Sequence, residues 1–284
     1  MSTDALERSV AAIAARIIGQ QPGRDEPLPF DSLSHAELVF ALEEELAVRL
    51  PDQVSLRTLA EATDAVERAR GNGGSGAPLH EGIGHLQWLA AGALRPILGP
   101  YYRFSVTGAD RIPDRGPVVL VSNHDSLLDI PFLAIAAPRR VWFMAKRELF
   151  EKRFGAWFFH VLGAFPVDRG RNDLKALRAA LATIEQGRAL AMYPEGTRSR
   201  EFLPFLPGAA WGALATGAPL VPVAVRGTAE SMPRGSVFPR RSRVSVAFGE
   251  PVEPGLERDP RRRLERAAKL TVELRGAVER LRWP

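Results

Sequence analysis

Between residues 118 and 248, short apolar runs alternate with helical stretches, and this alternation leaves few folds open. Val118-Val-Leu-Val-Ser122 is continuous and β-branched, the pattern of a strand buried on both faces. The sequence predicts a helix over about 125–136 next, then strands at Val141-Trp-Phe-Met-Ala145 and Ala164-Phe-Pro-Val167. A helix over 171–186 would carry Leu174, Leu177, Leu181 and Ile184 on one face. Strands follow at Leu190-Ala-Met-Tyr193, Leu220-Val-Pro-Val-Ala-Val225 and Val244-Ser-Val-Ala-Phe248, and a basic helix over about 259–281 closes the pattern. Such a run predicts an α/β sheet covered by helices.

Residues 1–70 read differently. Helical spacing runs through about 3–20, from near Ser32 (Leu33, Ala36, Val39, Phe40, Leu42) and through 59–70, predicting a small all-α bundle. Gly71-Asn-Gly-Gly-Ser-Gly-Ala-Pro-Leu79 has the composition of a flexible linker. The expected organisation is therefore a bundle at 1–70, a linker at 71–83 and an α/β domain at 84–284.

Charge divides at the same place. Residues 1–70 hold 13 acidic and 7 basic side chains, whereas the rest holds 20 acidic and 31 basic. The basic part invites an anionic partner, and the acidic part a basic protein surface, the other half of this chain included. Without cysteine there is no disulfide, thiolate zinc site or cysteine nucleophile, so any thioester must belong to a substrate or cofactor. The His and carboxylate spacing gives no zinc pattern, and no metal is expected. Nucleic-acid binding is not expected either, because the basic residues lack aromatic interleaving. No stretch approaches about 18 uncharged apolar residues, and the N-terminus is amphipathic rather than signal-like. The expectation is a cytoplasmic protein that touches the membrane peripherally.

Four short blocks carry the chemistry. Asn123-His-Asp-Ser-Leu-Leu-Asp129 stands where a strand gives way to a helix, the usual ligand position in α/β sheets. A histidine there can take a proton from a hydroxyl near neutral pH. The Asp129 carboxylate can reach back to fix the imidazole tautomer, as the acid does in a Ser-His-Asp triad, with the substrate's hydroxyl in place of the serine. The second block is Phe165-Pro-Val-Asp-Arg-Gly170, and the third, Tyr193-Pro-Glu-Gly-Thr-Arg-Ser199, lies at another strand end. Arginine in such loops can hold phosphate bidentately, beside glycine that lets the backbone come close. The fourth is the apolar strand Leu220–Val225. Blander roles are open to each residue. His124 can cap a helix, Asp129 can be a first-turn acid, and Arg169, Arg198 and Lys146 can be surface charges. Glu195 can close its loop by accepting backbone N–H bonds.

Over about 84–255 these blocks resemble the glycerolipid acyltransferase family, which includes 1-acylglycerol-3-phosphate acyltransferases. Its Asn-His-x4-Asp block appears as Asn123, His124 and Asp129, and its Glu-Gly-Thr-Arg-Ser block as Glu195 to Ser199. The resemblance implies acyl transfer from coenzyme A or acyl carrier protein to a lipid hydroxyl, often of a glycerol phosphate, by an α/β domain with a mixed sheet. It assigns His124 and Asp129 to catalysis. Glu195, Gly196, Thr197 and Arg198, with Arg169 and Lys146, are assigned to the acceptor and phosphate site.

Pro29-Phe-Asp-Ser-Leu33, with Glu37, Glu43, Glu44 and Glu45 after it, resembles an acyl or peptidyl carrier domain over about 1–70. That resemblance implies 4′-phosphopantetheine on Ser32, at a helix start whose free N–H groups favour an anion. Read without the resemblance, Ser32 is an N-cap. A linker of this length spans roughly 15–22 Å, which would hold the carrier near the active site at millimolar effective concentration. Aromatic and basic residues at Gly84–Phe104 and Arg153–His160, and the arginines of 261–282 (Arg275 and Arg282 among them), are candidates for membrane contact. Two rival readings keep the same residues: a thioesterase-type hydrolase, and a non-catalytic carrier or adaptor.

Overall fold

The computed structural model describes residues 3–70, 96, 98–151, 153–167, 174–233, 235, 236 and 238–283. The expected linker, Arg169 and residues 84–95 of the aromatic stretch lie outside them.

The N-terminal helices are α1 (Thr3–Ile18), α2 (Ser32–Leu46) and α3 (Leu59–Arg70). α1 buries Leu6, Val10, Ile13, Ala14 and Ile17, one helical stripe. Asp31 caps α2. Its carboxylate accepts the N–H groups of Leu33 and Ser34, while the Ser34 hydroxyl accepts the Asp31 N–H. Ser32 is thus the exposed first residue of the helix and not its cap. α2 buries residues on almost every side, His35 to Val39 without a break, because it is packed on two sides.

Seven strands follow among the described residues: β1 (Ser105–Thr107), β2 (Val118–Ser122), β3 (Val141–Lys146), β4 (Ala164–Val167), β5 (Ala189–Met192), β6 (Leu220–Arg226) and β7 (Ser245–Phe248). They form one sheet in the order β1-β7-β6-β2-β5-β3-β4, parallel throughout except for the β6–β7 pair. β2 sits in the middle, Val119 facing Leu190 on one side and Leu220 on the other, which is why all five of its residues are buried.

The helices are α4 (Asp129–Ala136), α5 (Arg153–Val161), α6 (Leu174–Glu185), α7 (Gly208–Thr216), α8 (Thr228–Ser231) and α9 (Pro260–Arg282). Ile130, Phe132 and Leu133 of α4 and Phe159 of α5 pack with Val118, Leu120 and Val221 on one face of the sheet. Ile184, Trp211, Leu274 and Val278 of α6, α7 and α9 pack with Val119, Val121 and Leu190 on the other. α4 begins at Asp129, four residues later than the sequence predicts. The backbone N–H groups of Asp125 and Ser126 go to the Asp129 carboxylate instead of opening a helix.

The bundle docks on the α6–α7–α9 side. Its core takes in Leu174, and Leu177 and Leu264 pack against it. Glu37 of α2 is buried between the Trp211 indole N–H, which it accepts, and Arg263, whose Nη2 lies 3.0 Å away. Arg178 of α6 holds Glu43 at 2.6 Å, Asp52, and the Leu50 carbonyl at 3.1 Å. The acidic surface of the bundle thus finds basic partners on its own chain.

Candidate active site

Parallel strands end together, so β2, β3, β4 and β5 deliver the segments that follow them to one edge of the sheet. After β2 come Asn123 and His124. After β5 come Tyr193 to Ser199, and Lys146 ends β3, exposed. Arg169 follows β4 and lies outside the described residues.

Asn123 is fully buried and ties its loop to β6, donating to the Val225 carbonyl at 2.9 Å and accepting the Val225 N–H at 2.8 Å. His124 follows, 5% exposed. Its Nδ1 lies 2.9 Å from Asp129 Oδ2, which also accepts the N–H groups of Asp125 at 2.7 Å and Ser126 at 2.8 Å. The second carboxylate oxygen of Asp129 accepts the Thr228 hydroxyl. Every approach to this fully buried carboxylate is thus a donor, so it can only accept from Nδ1–H. The tautomer with the proton on Nδ1 leaves Nε2 with its lone pair, and among the described residues Nε2 has no hydrogen-bond partner. Tyr193 stacks on the imidazole, ring centroids 4.3 Å apart and planes 24° from parallel.

Thr228 reaches Asp129 because Gly227 turns the chain with φ at +81°. A side chain there would meet the Arg243 carbonyl oxygen at 1.8 Å, so only glycine fits. Nothing in the local sequence marks Thr228 as a partner of Asp129.

Glu195 is turned inward. One oxygen accepts the His124 N–H at 2.8 Å and the other the Leu203 N–H at 3.1 Å. Burial pushes its carboxyl above the ordinary range, against those same N–H groups, which pull it down. Each oxygen accepts one backbone N–H, so Glu195 joins the histidine loop to the loop after β5. That is the loop-closing role, which the sequence also leaves open for Glu195. Gly196, Thr197 and Arg198 are exposed beside it. The Ser199 N–H donates to the His124 carbonyl at 2.9 Å, a second tie between the two loops.

A third tie comes from α9. Arg282, expected among the membrane-facing arginines, is 7% exposed and reaches Asp125 Oδ2 at 2.9 Å and the Arg200 carbonyl at 3.3 Å. Burial raises the Asp125 carboxyl to about 7, even with Arg282 pulling the other way. Arg275 likewise turns to the Phe202 and Leu203 carbonyls, at 3.0 and 3.3 Å. Burial of Arg282 is invisible in a helix this basic, because only the packing of α9 across the sheet brings its last turn to residue 125. Among the described residues there is no cluster of His, Asp and Glu fit to hold a metal.

His124, Asp129 and Glu195 lie inside a segment with known relatives. The family model described as Acyltransferase matches residues 103–226. Over those residues the chain is similar to that family. A 1-acyl-sn-glycerol-3-phosphate acyltransferase of Bacillus subtilis is 28% identical over 165 residues, 58% of this chain and 81% of that protein. A chloroplastic 1-acyl-sn-glycerol-3-phosphate acyltransferase of Brassica napus is 32% identical over 142 residues, 48% of this chain but 41% of the relative. The chain thus spans well under two thirds of the plant protein. The crystal structure of the 1-acyl-sn-glycerophosphate acyltransferase PlsC of Thermotoga maritima superposes with a TM-score of 0.53 at 27% identity, over 70% of this chain and 84% of that one. The segment that carries the His124–Asp129 geometry is thus the segment that is similar to acyltransferases. The match begins at residue 103, so the N-terminal bundle lies outside it.

Proposed function

We propose that the chain acylates the free hydroxyl of a lysophospholipid such as 1-acylglycerol 3-phosphate, with a phosphopantetheine thioester as donor. The observation that carries this reading is the His124–Asp129 pair, its Nε2 unpartnered, at the end of the central strand of an acyltransferase-family segment. The acceptor oxygen attacks the thioester carbonyl as Nε2 takes its proton, while Asp129 holds Nδ1–H and steadies the imidazolium. The tetrahedral oxyanion collapses to the ester. The departing thiolate takes the proton back from the imidazolium and leaves as a thiol, so His124 is neutral again. Exposed Arg198, with Arg169 and Lys146, supplies the cations for the acceptor phosphate.

The donor arm belongs to coenzyme A, to a separate carrier protein, or to this chain through Ser32. The position of Ser32, exposed at the first residue of α2, supports the last. Peripheral membrane contact suits a lipid acceptor. Tyr101 is 45% and Trp157 53% exposed, and among the described residues no helix is long and apolar enough to cross a membrane.

Purified protein with an acyl-CoA and lysophosphatidic acid should yield phosphatidic acid by mass spectrometry, and His124→Ala should cut the rate by about 10²–10⁴-fold. Release of free fatty acid without ester would favour the hydrolase, and an unchanged rate in His124→Ala would end the catalytic reading. Intact-mass analysis of protein from its own host decides the Ser32 arm, since an unmodified mass excludes it.

A further inference from the structure

A cleft of about 550 Å³ runs between α2 and the edge of the sheet where the active-site loops lie. The bundle contributes Leu33 to its wall, the α/β part contributes Met144, Leu177, Met192 and Leu206, and it reaches Tyr193, which stacks on His124. Its size falls within the roughly 300–1,000 Å³ of ligand pockets, and its two methionines adapt to a flexible apolar guest. Glu37 and Phe40 hold α2 in place. Glu37 is bonded to Trp211 and Arg263, and the Phe40 ring lies 5.4 Å from that of Trp211. Lifting α2 away would strip a buried carboxylate of its partners, which disfavours an open wall.

We infer that Leu33 of α2 walls the site of the donor's acyl chain, so that the N-terminal bundle sets which chain lengths are transferred. The inference rests on the acyl-transfer reading above. The occupant is the donor's chain because that chain begins one bond from the carbonyl carbon under attack, and the cleft is lined in part by the ring stacked on the attacking base. A chain already on the acceptor starts a glycerol skeleton further away. Residues 103–226 do not contain Leu33, so in this chain the family's segment alone makes an incomplete cleft.

The experiment measures kcat/KM on the full chain for acyl-CoA donors of about 8 to about 18 carbons, each buried methylene being worth roughly fourfold. Leu33→Trp should lower the value for the longest donors by about tenfold or more and leave the shortest within about twofold. Leu33→Ala should move the optimum to longer chains. It is the deciding variant if the tryptophan does not fold. Varying the acceptor's chain at a fixed donor should give the same profile in wild type and variants. Equal effects on every donor, no effect in either variant, or a change that tracks the acceptor's chain would overturn the proposal. Calorimetric binding of non-transferable alkyl-CoA thioethers reads the cleft without turnover. If wild type makes no ester yet binds thioethers with chain-length and Leu33 dependence, the acyl-transfer reading fails and the cleft stands. Binding indifferent to Leu33 sinks the cleft alone.

Discussion

Asp31 and Asp129 both stand at the start of a helix, and they do opposite work. Asp31 is exposed and spends its carboxylate on its own helix, capping Leu33 and Ser34. Burial alone would raise its carboxyl, but the Ser34 hydroxyl and the N–H groups of Ser34 and Leu33 outweigh that and hold it below the ordinary value. Asp129 is fully buried and spends its carboxylate backwards, on the imidazole of His124 and the N–H groups that precede the helix. A helix start favours an acid in both places. What separates a helix cap from a partner of the imidazole is where the preceding loop is held. The 123–126 loop is pinned by Val225, Glu195 and Arg282, all distant in sequence.

The sharpest way to break this contrast is to blunt each carboxylate in turn. Asp129→Asn keeps the shape but can donate toward Nδ1 and favour the wrong tautomer, so kcat should fall by about 10³–10⁴-fold with the fold retained by circular dichroism. A fall of less than about tenfold would mean that His124 works without it. Thr228→Val leaves Asp129 Oδ1 without its donor, and should cost about 1–3 kcal/mol in a urea titration and lower kcat more than it raises KM. Asp31→Ala should cost about 1 kcal/mol of stability and leave kcat on soluble acyl-CoA within about twofold.

A smaller effect sharpens the comparison through pH. Asp31 is depressed in the folded protein, so its stabilisation is present above its unfolded value, 3.8, and is lost as pH falls through the folded one. Asp125 is raised from 3.8 to about 7, so the native state binds the extra proton between those values. Its contribution therefore declines as pH rises from about 4 to about 7, the opposite sign. Thermal midpoints across that window should fall less steeply with pH in Asp125→Asn than in wild type. An unchanged slope would show that Arg282 keeps Asp125 ionised throughout.

The strands at 118–122 and 164–167, and the helix at 59–70, are where the sequence places them, because an apolar run of strand length or a helical stripe is a local pattern. The helix expected from 125 is late for a tertiary reason, since a buried carboxylate diverts its first N–H groups. His124 and Asp129 are legible as a pair because only four residues lie between them and the strand end is marked by its β-branched run. Glu195 is legible as part of a block, but not its direction. Whether a glutamate faces a ligand or two backbone N–H groups depends on the path of a loop more than seventy residues away.

The amino-acid sequence by itself determines the alternation of strand and helix, the division of charge near residue 70 and the histidine at the end of β2. These are properties of neighbouring residues, and hydrophobic periodicity and net charge write them locally. Only the tertiary structure decides that Arg282 turns inward to Asp125, that Thr228 completes the shell of Asp129, and that Leu33 of the bundle walls a cleft beside Tyr193. Each joins residues about 100 or more positions apart, and the free energy that selects those contacts comes from burial and hydrogen bonding that exist only once the sheet and its helices have packed.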